Sequence, residues 1–130
     1  MNLENWLRQQ GAAPCVLGVS DCSLTLADWA VHCGYPDGAA HLRGTYATEA
    51  EMYKKINSYG DLVGVVEVCA NHAGCAPTNQ RAVGVIAVIG SPTNVRRQWG
   101  AIWNGGAWMV RLHTGFEAVA AHSLKMWKVL

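Results

Sequence analysis

The chain has 130 residues, 51% of them apolar and 15% charged, with ten Lys and Arg against nine Asp and Glu. That length suits one hydrophobic core, so residues 1–130 are expected to form a single domain, and the low charged share excludes long disordered tails. A formal net charge of +1 excludes the concentrated basic field that general nucleic-acid binding requires.

The first half reads as helices. Asn2 caps a short helix with Leu3, Trp6 and Leu7 on one face, stopped at Gly11. A loop with Pro14 and Gly18 follows, and a second helix is expected to begin at Ser20 or Asp21. Its Leu26, Trp29, Ala30 and Cys33 fall on one helical face, and Gly34 ends it. Tyr35-Pro36-Asp37-Gly38 is a turn by composition. Thr48 and Glu51 form a capping-box pattern for a third helix, which carries Met52, Ile56 and Tyr59 inward and stops at Gly60. Asp61 can cap a fourth, with Leu62, Val65, Val66 and Cys69 at helical spacing, although its valines also suit a strand.

The second half changes period. Residues 83–89 are short, β-branched and bounded by Gly90-Ser91-Pro92, as a buried strand would be. Residues 99–103 and 107–112 flank Asn104-Gly105-Gly106, a strong hairpin signal. His113-Thr114-Gly115 makes a second tight connection to residues 116–119, and the tail from 123 to 130 is expected to hold a helical turn followed by a last strand. Helices first and an antiparallel meander second describe an α+β domain.

Five Cys, at 15, 22, 33, 69 and 75, include no C-x-x-C pair. The odd count, and an opening without a basic and then apolar leader, fit a chain kept in a reducing cytosol. The longest apolar run is far short of the roughly 20 residues that span a bilayer, so no membrane insertion is expected. Cys69, His72 and Cys75, with Cys33 or His32 as a fourth ligand, match neither zinc-knuckle nor iron–sulfur spacing. No metal and no cofactor are expected.

The sharpest local feature is Gly18-Val19-Ser20-Asp21-Cys22-Ser23. It places Cys22 in the first turn of a helix, where unpaired amides and the helix dipole would stabilise a thiolate and could form an oxyanion hole. The alternative is a small Cys packed under the loop.

This layout, a helix-initiating Asp-Cys-Ser after a glycine loop, then further helices and a β-meander, resembles the NlpC-type cysteine peptidases. Those papain-like enzymes cut peptidoglycan stem peptides. More closely, the chain resembles a small phage and prophage family of NlpC-like domains. Gly18, Asp21-Cys22, Asp28-Trp29, Leu42-Arg43-Gly44-Thr45-Tyr46, Val83-Gly84-Val85-Ile86-Ala87-Val88 and Met126-Trp127-Lys128-Val129 carry that likeness over nearly the whole chain. The resemblance implies a papain-like fold with Cys22 at the nucleophile position.

The chain departs from the enzymes at three places. Leu24 replaces the Gly of Asp-Cys-Ser-Gly, and Cys15 occupies the position of a Tyr thought to help hold the oxyanion. In the His-x-Gly-Ile-Tyr pattern of the second strand, Gln98 stands where the catalytic His belongs. Gln cannot accept and return a proton near pH 7. His113 is the one plausible substitute base, although it falls in a predicted turn. His32 sits about 15 Å along the helix from Cys22, and His41, His72 and His122 lie in loops or near element ends.

Six Trp beside one Phe is a surplus of indole that hints at a partner. Trp6 and Trp29 lie at core spacing. Trp99, Trp103 and Trp108 cluster on two consecutive strands, with Trp99 and Trp103 on one face. They could pack in the core, line a glycan groove or meet another protein, and they are the interface candidates. Arg96-Arg97 reads as a solvated loop tip.

Together these features lead to the expectation of a phage or prophage virion protein, a tail-tip structural component built on a catalytically degenerate NlpC-like fold. Its partners would be other tail proteins, and it would reside in the bacterial cytoplasm during assembly and then in the tail. The tail location is implied by the resemblance alone. Two alternatives stand beside it: an active endopeptidase or amidase using Cys22 and His113 on peptidoglycan during phage entry, and a non-catalytic module that binds cell-wall peptide.

Overall fold

Asn2 opens the first helix in the structure, a computed structural model that describes residues 2–129. Met1 and Leu130, the ends of the expected leaderless start and tail element, lie outside the described residues. The Asn2 side chain accepts the Asn5 amide at 3.1 Å, and α1 (Leu3–Ala12) turns Leu3, Trp6 and Leu7 inward. The helix runs through Gly11 instead of stopping there. A Cβ at Gly11 would lie 3.3 Å from Gly115 Cα, so this glycine lets the helix approach the sheet.

The second helix, α2 (Leu24–His32), begins later than Ser20 or Asp21. The Asp21 carboxylate turns back to the amides of Gly18, Ser23 and Leu24 and winds residues 18–23 into a compact turn ahead of the helix. In α3 (Glu49–Ser58) the Thr48–Glu51 capping box is complete. Asp61 accepts the Gly64 amide at 3.0 Å and caps α4 (Leu62–Ala73). Helix prevails over strand there because Leu62, Val65, Val66, Ala70 and Ala73 form one buried helical face.

The strands are β1 (Pro77–Thr78), β2 (Ile86–Gly90), β3 (Gln98–Trp103), β4 (Trp108–Leu112), β5 (Gly115–Ala118) and β6 (Ser123–Trp127), with a 3-10 turn at Val95–Arg97. Strand β2 starts three residues later than expected. Val83 is exposed, Gly84 adopts a φ of +92°, and its carbonyl accepts the Trp29 indole N–H at 2.9 Å. The tail contains no helical turn at its start, because Ser123 already pairs with Ile89 of β2. Asn104 accepts the Gly106 and Ala107 amides and holds the β3–β4 connection.

The sheet is antiparallel, in the order β1-β6-β2-β3-β4-β5. Strands β2 to β5 form the expected meander, whereas β6 returns to the far side of β2. With four helices and six strands among the described residues, the architecture is α+β. Alternate residues divide the sheet into two faces. Ile86, Val88, Ile102 and Trp127 pack with the helices, and Val85, Ala87, Ile89, Ala101, Trp108 and Val110 form a second cluster behind them.

The second cluster is covered by a strap. Val119 N bonds to Trp108 O, and three residues later His122 O accepts Gly90 N. Residues 119–122 thus cross the face of the sheet that carries the cluster, where Val119 and Ala121 pack on it.

Buried Arg111 ties the first helix to this frame. Its guanidinium donates to the carbonyls of Gln10 and Ala13 at the end of α1, where the helix dipole favours a cation.

Candidate functional site around Cys22

Two loops support the turn that carries Cys22. Ser20 Oγ donates to Pro14 O at 2.7 Å and accepts Val16 N at 2.9 Å, which folds the preceding loop back on itself. Gly18 has a φ of +78°, and a Cβ there would lie 2.1 Å from Tyr46 O, so only glycine fits between the loops. Gly44 N donates to Gly18 O at 2.9 Å and joins them.

Asp21 is the hub. Buried to 4% exposure, its carboxylate accepts Gly18 N at 3.0 Å, Ser23 N at 3.1 Å, Leu24 N at 3.0 Å and the Tyr46 hydroxyl at 2.6 Å. Burial first, and then the adjoining Asp21 charge, hold the Tyr46 phenol well above the usual tyrosine range.

Cys22 sits two residues before α2, is half-buried and packs against the second apolar cluster. Its thiol is pushed up to about 11, chiefly by burial. A hydrogen bond from the Gly100 backbone opposes that rise, and the Asp21 charge adds to it. The expected lowering is thus reversed. The amides that would stabilise a thiolate, those of Ser23 and Leu24, are taken by the Asp21 carboxylate. Asp21, Ser23 and Cys15 are the side chains with the largest effects on the thiol.

Gln98 and Gly100 share one face of β3, two residues apart. A Cβ at Gly100 would lie 2.7 Å from Cys22 O, so the Cys22 turn rests directly on the strand. Gln98 is 6% exposed and committed elsewhere: Oε1 accepts Leu62 N at 3.1 Å, and Nε2 donates to Ser91 O at 2.9 Å and approaches Asp61 Oδ2 at 3.4 Å. It ties the start of α4 to the β2–β3 connection.

His113 is exposed in the β4–β5 turn. His32 stacks on Trp29, with ring centroids 5.8 Å apart, and His41 meets His72 edge-on at 5.0 Å. His122 joins the strap through its carbonyl. Among the described residues, no three His, Cys, Asp or Glu side chains gather into a metal-binding group. Cys69 and Cys33 are both pushed up to about 11 by burial.

Of the tryptophans, Trp6 and Trp29 pack in the core at 5% and 1% exposure. Trp99 and Trp103 project to the second cluster from one face of β3, as expected, and remain half-buried. Trp108 is buried in that cluster, so its ring is largely used within the chain. Arg96, placed in a solvated tip, lies over the Tyr53 ring at 4.2 Å and pairs with Glu49 at 3.4 Å.

Sequence reasoning named Asp28, Arg43 and Tyr46 only as carriers of the resemblance and Asp37 only as part of a turn, and foresaw none of their contacts. Arg43 donates to Asp28 at 2.7 Å and to Asp37 at 2.8 Å, clamping α2 to the following loop. The Arg43 pair is the first cause holding the Asp37 carboxyl below the usual range, whereas burial holds that of Asp28 above it. The available signal was the presence of these four residue types among sparse charges. Their long-range pairing had no local pattern.

No described helix is long and apolar enough to cross a membrane. No curated protein and no solved structure matches the chain. A family model described as a domain of unknown function (DUF6950) matches residues 1–129, and the chain belongs to that family.

Proposed function

We propose that this chain is a phage or prophage virion protein, a tail-tip structural component built on a catalytically degenerate NlpC-like peptidase fold. The observation that carries the degenerate reading is Gln98. It lies where the resemblance requires a catalytic His, on the sheet face against which the Cys22 turn rests, and its side chain is spent on Leu62 and Ser91. Burial pushes the Cys22 thiol up to about 11, which works against a nucleophile at neutral pH, and Gln98 supplies no base. The tail location rests on the resemblance to phage domains, and half-buried Trp99 and Trp103 supply the surface a permanent neighbour would cover.

The test uses a particle-producing strain and the purified protein. The chain is expected in purified particles, deletion of its gene is expected to give tailless or tip-less ones, and the protein is expected to leave purified sacculi intact. Normal particles without it would overturn the structural role. Sacculus hydrolysis abolished by Cys22→Ala would establish the peptidase alternative in its place. Retention of the Cys22→Ala protein on sacculi, with normal particles in its absence, would favour the cell-wall-binding module.

A further inference from the structure

An open groove of about 560 Å³ is lined by the β3–β4 turn, Arg81, Trp103 and residues 118–122. We propose that it binds an extended, acidic segment of a partner protein. The inference rests on the reading of this chain as a non-catalytic structural component with protein partners, and names the surface and the partner chemistry.

Three observations carry it. The groove lining contains Arg81 and His122 and no Asp or Glu, and Arg81 makes no salt bridge among the described residues. Its guanidinium lies 4.5 Å above the Trp103 ring, so a cation and an indole are presented side by side. Ala120 and Ala121 make no hydrogen bond among the described residues, while Val119 and His122 on either side are bonded to the sheet. Both residues line the groove, and their main-chain groups have no partner among the described residues.

These features suit peptide recognition. Such main-chain groups can add an extended segment as a strand would be added, and Arg81 can meet its carboxylate in a charge-assisted pair. Trp103 lines the groove beside Arg81, and Gly106 and Ala107 leave space for a side chain of the bound segment. Main-chain groups without a partner favour a polypeptide over a glycan, and Arg81, with no Asp or Glu in the lining, selects an acidic one.

The experiment titrates the isotope-labelled protein with an acetylated, amidated Val-Asp-Leu-Asp-Val-Asp hexapeptide at millimolar concentration, with the Val-Lys-Leu-Lys-Val-Lys peptide as control. Saturable shifts are expected at the Trp103 indole N–H and the Ala120 and Ala121 amides with the acidic peptide only. Exposed Arg81 can be replaced without disturbing the core, and Arg81→Ala is expected to weaken binding about tenfold or more. No saturable shift at those groups, equal shifts with the lysine peptide, or unchanged affinity in Arg81→Ala would overturn the proposal. So would shifts at the groove that follow protein concentration without peptide, since the occupant would then be a second copy. Failure here with the chain still required for tails refutes the groove and leaves the virion role. Acidic-peptide binding with normal particles lacking the chain does the reverse.

Discussion

Gln98 Oε1 lies 3.1 Å from Leu62 N, so the side chain at the expected base position serves as an acceptor for the first turn of α4. Gln98→Ala leaves that amide and the Ser91 carbonyl without their partner in a buried place. A loss of about 2 kcal/mol in unfolding free energy is expected, since each orphaned buried group costs about 1–3 kcal/mol. Urea unfolding followed by Trp fluorescence reads the change, and an unaltered midpoint would show that the side chain holds nothing.

The Cys22 thiol, pushed up to about 11, is predicted to alkylate slowly at neutral pH. Compared with a thiol titrating at the ordinary 9.0, its thiolate fraction near pH 7 is about 100-fold smaller, and iodoacetamide reacts with the thiolate. Mass spectrometry of the Cys22 peptide should show a rate that climbs steadily to high pH. A rate that levels off below pH 8 would reveal an activated nucleophile.

Asp21 and Tyr46 are expected to be coupled. Tyr46→Phe removes the 2.6 Å hydrogen bond to a carboxylate and should cost about 2 kcal/mol. Asp21→Asn should cost more, because an amide nitrogen cannot accept from both Gly18 and Tyr46. In the double mutant the two losses should fall short of their sum, as contacting residues do. Strict additivity by urea unfolding would deny the link.

Replacing Arg43 with Met is predicted to be costly at pH 7 and cheaper at pH 3. The Asp37 carboxyl is held below its ordinary value by Arg43, so its contribution is present above the unfolded-state value and is lost as pH falls through the folded one. The Asp28 carboxyl is held above its ordinary value by burial, and Arg43 is what offsets the cost of its charge. At pH 7 Arg43→Met therefore strands two carboxylates, whereas at pH 3 protonation relieves both. A difference of about 1–2 kcal/mol at pH 7 is expected for these part-exposed groups. Equal costs at the two pH values would rule the clamp out.

Elements with local signals were legible in the sequence. Asn2, Thr48, Asp61 and Asn104 each announced a cap or turn that the fold uses. The start of α2 was misjudged because Asp21 has the residue type and spacing of a helix cap but also reaches back to Gly18 and across to Tyr46, and no periodic pattern encodes the latter contact. The two-residue β1 exists only because β6 lies beside it, and β6 reaches that place by crossing from the opposite end of the sheet. At the site, Cys22 and Gln98 were identifiable by their positions. The raised thiol was not, because it depends chiefly on burial that only the folded chain creates.

The position of β6 also fixes an order of events during synthesis. Strand β2 is apolar along Ile86, Ala87, Val88 and Ile89, and one of its two neighbours is encoded only at residues 123–127. While a ribosome is still adding those residues, β2 has an unpaired edge and the inner cluster has no strap. Nascent chains that stop before residue 123 would thus display an apolar strand edge open to pairing with other chains. For this fold, protection from aggregation waits until the last strand is free to pair with β2.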